Sequence, residues 1–211
     1  MQKKEERMDI AEVLARRRPQ RIAKRAMDIV LSAAALAVLW PLLLLIALAV
    51  VIDDPGPVFY RQVRIGRGGK PFRIFKFRTM VTDADKKGLA ITVGRDSRIT
   101  RVGAILRKTK LDELAQLLNV LAGQMSFVGP RPERRFFVDK IMYINPAYAL
   151  LYQLRPGLFS AATLYNGYTD TMEKMLRRLE YDLYYLGHRS WWFDFKVLFN
   201  TFCSIVFGKK F

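Results

Sequence analysis

Twenty-four consecutive residues, Ile29 to Ile52, carry no ionisable side chain. About 20 apolar residues suffice to cross the hydrocarbon core as a helix. The run is preceded by Arg16-Arg17-Arg18, Arg21, Lys24 and Arg25 and ends at Asp53-Asp54-Pro55-Gly56-Pro57. It is too long for the apolar stretch of a cleavable signal, and no small-residue cleavage site follows it. Pro41 lies near its middle and removes a helix hydrogen bond, which predicts a kink or break there. Proline is tolerated in spanning helices, so a single span stays open. Charge weighs against it: residues 1–25 hold nine Lys/Arg, and the remaining 27 of the 36 lie beyond the run. Both flanks favour the same side of a membrane. A helix that enters, breaks at Pro41 and returns satisfies both.

Beyond the run, Pro57 to Val63 and Phe72 to Arg78 alternate as strands around a Gly66–Pro71 turn, a hairpin pattern. Gly66, Gly68 and Gly69 resemble a phosphate loop only superficially. Gly69-Lys70 is followed by Pro71 where such a loop needs Ser or Thr, so these read as turn glycines. Thr82 to Ser97 is polar, with Asp83, Asp85, Lys86, Lys87 and Gly88, and reads as a loop. Arg98 to Arg107 is basic at helical or turn spacing. Thr109 to Asp112 has the form of an N-cap signature. It predicts a helix from Asp112 to Ala122 with Leu114, Leu117, Leu118 and Leu121 on one face and Gly123 at its end. Glu133 to Ile144 and Thr171 to Leu186 are further helical stretches. Ser190 to Phe211, with Trp191, Trp192, Lys196, Lys209 and Lys210, has the pattern of an amphipathic helix lying at a headgroup layer or packing on a core. Asn145 to Leu154, with Tyr148, Leu150, Leu151 and Tyr152, is a weaker candidate for the same plane. The pattern predicts an α+β, mainly helical monotopic membrane protein with a small β-hairpin and amphipathic interfacial helices. Its divisions are a basic N-terminal extension (1–25), a re-entrant helix-break-helix (26–52) and a cytoplasmic or interfacial domain (53–211).

Charge adds a partner. A formal net charge of +17 calls for a polyanion: nucleic acid, anionic lipid headgroups or a phosphorylated substrate. Nucleic acid is set aside because the basic residues interleave with lipid-suited apolar ones in a chain that is 51% hydrophobic. A single cysteine, Cys203, and a single histidine, His188, exclude an internal disulfide, a thiolate metal site and multi-His zinc motifs, and leave little room for a Ser-His-Asp triad. Acid–base and nucleophilic chemistry then falls to carboxylates, Lys, Tyr or Ser, and a metal would be hard and oxygen-liganded, with Mg²⁺ the natural choice.

Asp112 and Glu113 are the notable carboxylates. At the start of a helix they offset the macrodipole by roughly 0.3–1 kcal/mol, which accounts for them without any chemistry. The same environment keeps a carboxylate ionised, as nucleophilic catalysis requires. Neighbouring residues on a helix diverge in direction, so one acid can attack while the other holds a cation. Arg107 precedes the pair. Arg131 stands between Pro130 and Pro132, which restrict its backbone and favour bidentate presentation to phosphate. An ion pair of Arg131 with Glu133 fits the spacing as well.

These motifs occur in a fixed order: Lys24-Arg25-Ala26-Met27-Asp28, the apolar run, Gly56 to Tyr60, Phe72 to Met80 ending Lys-Phe-Arg-Thr-Met, Leu111 to Asn119, Ser126 to Pro132, and Arg155-Pro156-Gly157. In that order, over residues from about 21 to 200, the chain resembles the bacterial sugar transferase family, the monotopic phosphoglycosyl transferases. The resemblance implies transfer of a sugar-1-phosphate from a UDP-sugar to polyprenyl (undecaprenyl) phosphate with release of UMP. It implies a ping-pong reaction through a covalent aspartyl phosphosugar intermediate, dependent on Mg²⁺, that begins surface glycan or glycoconjugate assembly. By motif, Asp112 matches the nucleophile and Glu113 the magnesium-binding partner acid. Lys76, Arg78, Arg107 and Arg131 match substrate-binding positions. The implied place is the cytoplasmic face of the bacterial inner membrane, with a homodimer compatible with it.

Two departures limit the transfer. Trp40 stands where small members often carry Ser before the central proline. The stretch after Gly157, Leu-Phe-Ser-Ala-Ala-Thr-Leu-Tyr-Asn-Gly-Tyr, differs from the run common in members, so sugar choice is not carried over. The competing readings are a membrane glycosyltransferase that releases UDP and a noncatalytic scaffold that binds anionic lipid.

Overall fold

The computed structural model describes residues 18–84, 96–166 and 171–206. Most of the basic extension, most of the polar loop after Thr82, and Lys209 and Lys210 fall outside the described residues.

The first element, α1 (Arg18–Asp53), is one α-helix with Pro41 inside it. The helix runs on through Pro41, so the expected break of a helix-break-helix is not seen. A proline removes a single backbone donor, and the bonds on either side of it sustain the helix. The domain grips α1 at both ends. Near the start, Lys24 Nζ donates to Asp194 Oδ2 at 2.5 Å. Arg25 donates to the Val120 and Leu121 carbonyls at 2.6 and 2.8 Å. The buried Asp28 accepts from Ser126 Oγ and the Phe127 amide, both at 3.1 Å. At the far end, Ile46 and Val50 pack with Phe77, Leu106 and Ala115, and Asp53 Oδ2 accepts from the Val102 amide at 2.8 Å. Between these anchors Val38, Trp40, Leu44, Leu45 and Leu48 are exposed. The helix is long and apolar enough to cross a membrane, and only 11% of its apolar window is buried.

The hairpin forms as expected. β1 (Phe59–Ile65) pairs antiparallel with β2 (Pro71–Phe77), from Phe59 opposite Phe77 to Ile65 opposite Pro71. Gly68 and Gly69 sit in the turn at φ 70° and 71°, a left-handed conformation that glycine adopts without steric cost.

The carboxylate region folds differently from expectation. α2 (Arg101–Thr109) is capped by Thr100, whose hydroxyl accepts from the Gly103 amide at 2.9 Å. Thr109 closes this helix and does not open the next: its hydroxyl donates to the Ile105 carbonyl at 2.9 Å. Lys110 then takes φ 61°, and a 3-10 turn (Leu111–Gln116) leads into α3 (Leu117–Leu121). Gly123, at φ 80°, follows as predicted. The tighter turn, three residues per revolution, changes which side chains face inward. Leu117 and Val120 are buried, whereas Leu118 and Leu121 are exposed.

Two short strands, β3 (Ser126–Val128) and β4 (Gly157–Phe159), pair in parallel. α4 (Arg135–Ile144) and the 3-10 segment Pro146–Gln153 lie between them in sequence. Tyr148 and Leu151 of that segment are core residues with Ile65, Val138, Ile141, Met175 and Leu179. The expectation of an interfacial segment is therefore corrected, because its aromatic and leucine side chains are used up by the interior. α5 (Ala161–Asn166), α6 (Met172–His188) and α7 (Trp191–Val206) complete the fold. α7 packs on the core along one side and leaves the other exposed. Asp194 and Val197 turn inward, and Trp191, Trp192, Phe195, Phe199 and Phe202 form an exposed aromatic stripe.

Candidate active site

The hairpin, the 3-10 turn and the loop after β3 converge on Glu113. Lys76, on β2, donates to Glu113 Oε1 at 2.6 Å. Arg131 Nη2 approaches the same oxygen at 3.4 Å. Asp112 is 8% exposed, and no hydrogen bond or ion pair engages its carboxylate among the described residues. In a 3-10 turn successive side chains diverge by about 120°, so the two acids face different partners.

Their electrostatics differ accordingly. Burial pushes the Asp112 carboxyl above its ordinary range; Lys76, Lys110 and Arg107 pull the other way, and Glu113 adds to the rise. Burial also opposes the charge on Glu113, but Lys76, Arg131 and Lys110 outweigh it and hold the group well below the usual carboxylate range. One acid is a fixed anion clasped by cations. The other is poorly solvated and unengaged among the described residues, a condition that suits a carboxylate to nucleophilic attack.

Local backbone features set these positions. Lys110 is the one described non-glycine residue at positive φ, a conformation that costs roughly 1–2 kcal/mol. It lets the chain reverse between α2 and the 3-10 turn, with the Glu113 amide donating to the Lys110 carbonyl at 3.1 Å. Asn119, fully buried, ties the same segment to β2. Its Oδ1 accepts from the Phe75 amide at 2.9 Å and its Nδ2 donates to the Arg73 carbonyl at 2.8 Å. The strand that carries Lys76 is thereby held beside Glu113. Sequence reasoning missed Asn119, although a polar residue on the inward side of a leucine-rich helix was a usable signal.

The expected cations separate into two groups. Lys76 and Arg131 contact Glu113, while Arg107 acts on the pair only through its charge on Asp112, its Nε donating to Thr79 Oγ1 at 2.9 Å. Arg78 does not join them. Its guanidinium donates to the Asp54 carbonyl and, at 2.8 Å, to Thr82 Oγ1, and it pairs with Asp54 Oδ2 at 3.3 Å. It locks the end of α1 to the domain, because Asp54 reaches it first. Nor does Arg131 pair with Glu133, which is taken by Arg64 and Arg178.

A second acid lies behind the site. Burial pushes the Asp182 carboxyl up to about 7, against the pull of Arg178 and a hydrogen bond from Ser160. Because its folded value is raised, the stability it contributes is complete below the unfolded value and is lost as pH rises through about 7. Asp182→Asn is expected to flatten this fall. Thermal midpoints of both proteins between about pH 4 and pH 8 check it, and parallel curves would show that Asp182 does not titrate there.

Among the described residues no three His, Cys, Asp or Glu side chains cluster as a closed metal cage. Asp112 and Glu113 are hard oxygen donors, and magnesium characteristically takes one or two carboxylates together with substrate phosphates. The donor set fits that ion.

Comparison with known proteins identifies relatives of the chain. The UDP-glucose:undecaprenyl-phosphate glucose-1-phosphate transferase of Escherichia coli (strain K12) is 44% identical over 183 residues, which cover 86% of this chain and 39% of that protein. The Aeromonas hydrophila UDP-N-acetylgalactosamine-undecaprenyl-phosphate N-acetylgalactosaminephosphotransferase is 39% identical over 185 residues, 88% of this chain and 44% of its own length. The chain thus spans less than half of these relatives. The exopolysaccharide production protein PSS of Rhizobium leguminosarum bv. phaseoli is 44% identical over 197 residues, 90% of this chain and 98% of that one. With the sequence profile described as "Bacterial sugar transferase" matching residues 19–208, this chain belongs to the bacterial sugar transferase family.

Proposed function

We propose that this protein transfers a sugar-1-phosphate from a UDP-sugar to polyprenyl phosphate at a membrane surface, releasing UMP. The observation that carries this reading is the pair of adjacent carboxylates, one clasped by Lys76 and Arg131 and the other buried with no hydrogen-bond or ion-pair partner among the described residues. The activities for which the Escherichia coli and Aeromonas relatives are named support it.

In this mechanism Lys76, Arg107 and Arg131 receive the donor diphosphate and offset its charge in a site of reduced solvation. An Asp112 carboxylate oxygen attacks the phosphorus next to the sugar. The bond from that phosphorus to the bridging oxygen breaks, and UMP leaves with the electron pair. An aspartyl phosphosugar remains. A phosphate oxygen of the polyprenyl acceptor then attacks the same phosphorus, the bond to Asp112 breaks, and polyprenyl diphosphate sugar departs. Asp112 returns as a carboxylate, so the cycle needs no net redox partner. Glu113 would hold Mg²⁺, which when bound supplies further positive charge against the diphosphate.

The membrane reading is that α1 enters and leaves by one face. Arg25 and Val50 would lie about 37 Å apart in a straight helix at ~1.5 Å per residue. Yet Arg25 bonds the Val120 carbonyl and Val50 shares a cluster with Ala115, residues close together along one short segment. That supports a bend at Pro41 within the helix. The aromatic stripe of α7 suits the headgroup layer. With the positive flanks, this supports the reading of a domain on the cytoplasmic face of the inner membrane, where UDP-sugars are found.

The test is to incubate detergent-purified protein with magnesium, undecaprenyl phosphate and a panel of UDP-sugars that includes UDP-glucose and UDP-N-acetylgalactosamine, and to identify the released nucleotide. UMP is the expected product. UDP would mean ordinary glycosyl transfer, and silence across the panel together with retained binding to anionic vesicles would favour the lipid-binding scaffold.

A further inference from the structure

Arg131 is held between two fixed points. Upstream, the Gly129 amide donates to the Phe159 carbonyl at 3.1 Å and the Gly157 amide to the Pro130 carbonyl at 2.9 Å. Downstream, the Glu133 carbonyl accepts from the Ile65 amide at 2.9 Å, and the Pro132 carbonyl accepts from Arg64 Nη1 at 3.2 Å. The two flanking prolines leave this short link little torsional freedom.

The downstream anchor is built on a buried charge. Glu133 is 7% exposed. Its Oε2 faces Arg64 Nη1 at 3.4 Å and its Oε1 takes Arg178 from α6. Arg64 also donates to Gln62 Oε1 at 2.5 Å, which fixes the guanidinium on β1. Behind Arg178 lies Asp182, accepting from Ser160 Oγ at 3.2 Å. Burying Glu133, Arg178 and Asp182 beside a half-buried Arg64 is a poor route to stability, since desolvation consumes most of the attraction. What such a network does supply is direction. It closes a circuit through the site: Arg131 to Glu113, Glu113 to Lys76 on β2, β2 to β1 through the hairpin, and Arg64 on β1 back to Glu133.

We propose that Glu133, gripped by Arg64 and Arg178, is a positioning residue that holds the Pro130–Pro132 link so that the Arg131 guanidinium meets the donor diphosphate beside Glu113. This rests on the phosphoglycosyl transfer proposed above. Glu133 touches no reacting atom; it acts through Arg131.

A double-mutant cycle tests it, with steady-state UMP release as the readout and undecaprenyl phosphate saturating. Glu133→Gln keeps the side-chain volume and removes the charge. It is expected to lower kcat/KM for the UDP-sugar by about 10- to 100-fold, the scale of a misplacement near 1 Å. Arg131→Gln is expected to lose at least as much. The double variant is expected to be no worse than Arg131→Gln alone, because the Glu133 effect passes through a side chain that is no longer there. Multiplying losses would mean that Glu133 supports the fold generally, and an unchanged kcat/KM in Glu133→Gln would also overturn the proposal. Should Glu133→Gln lose its cooperative thermal transition, Arg178→Lys takes its place. It retains a cation against Glu133 but relaxes the grip, and it must show the same non-additivity with Arg131→Gln. Wild-type protein that releases no UMP would instead bring down the transferase reading itself, and this inference with it.

Discussion

Replacing Asp112 by Asn is expected to cut turnover by roughly 10⁴-fold or more, the scale seen when a covalent nucleophile is removed. The amide matches the carboxyl in size but does not form the acyl phosphate. The fold is expected to survive the change. The Asp112 carboxylate has no hydrogen bond to lose among the described residues, and its burial already disfavours the charged form. A neutral isostere should therefore leave the thermal midpoint equal or slightly higher, the usual relation between a strained functional group and stability. Two measurements decide the matter together. Initial rates of UMP release should collapse in the variant. Mass spectrometry of wild-type protein given donor alone should find a sugar-phosphate adduct on the peptide that contains Asp112. A variant within about tenfold of wild-type rate would remove Asp112 from the nucleophile's role, since the acid would then be doing no more than a charge could.

The second large effect lies in a glycine that touches no substrate. A Cβ placed on Gly157 would fall inside van der Waals contact with the Gly129 nitrogen and oxygen and the Phe159 oxygen. All three are backbone atoms, which do not swing aside as a side chain does. Gly157→Ala is therefore expected to cost at least about 3 kcal/mol, at the upper end of overpacking penalties. It should also depress UMP release, because prising β3 from β4 moves the upstream anchor of Arg131. Gly187, near the end of α6, is the internal control. A Cβ there meets nothing within 4 Å, so Gly187→Ala is expected to stabilise by up to about 1 kcal/mol through helix propensity. Urea midpoints for the three proteins check the pair. Equal midpoints for Gly157→Ala and wild type would show that the strand contact is looser than the backbone geometry implies.

Gly129 and Gly157 also explain two of the motifs. Gly129-Pro130-Arg131-Pro132 and Arg155-Pro156-Gly157 are 26 residues apart, yet their backbones lie against one another in the β3–β4 pairing. Each glycine makes room for the other. That mutual dependence was invisible along the chain, where Arg131 looked like an arginine presented by two prolines and nothing tied that motif to Arg155-Pro156-Gly157. The same holds for Lys76 and Arg78. Two residues apart next to a strand, they share a face by pattern, and nothing local separates their duties. Asp54 does so, by drawing Arg78 to the end of α1.

The turn before the acid pair shows how a local signal misleads. Thr109 to Asp112 has the composition of a helix start, and Thr109 instead ends a helix, because Leu106 is pulled into the core with Ile46, Val50 and Phe77 and Lys110 turns left-handed to accommodate it. Arg131, whose spacing fitted an ion pair with Glu133 as well as a phosphate site, faces Glu113 for a similar reason: Arg64 and Arg178 approach Glu133 from β1 and α6.

What the amino-acid order determined by itself was whatever depends on neighbours within a few residues. The uninterrupted apolar run, the alternation of the hairpin, the turn glycines and the adjacency of Asp112 and Glu113 are short-range facts. They follow from side-chain hydropathy and backbone periodicity. Only the tertiary structure decided which cation serves which acid, how Arg131 is aimed, and that α1 remains one helix through Pro41. Those outcomes depend on groups far apart in sequence competing for the same few buried positions. There the cost of desolvating a charge selects a single arrangement of partners from many that the chain alone would allow.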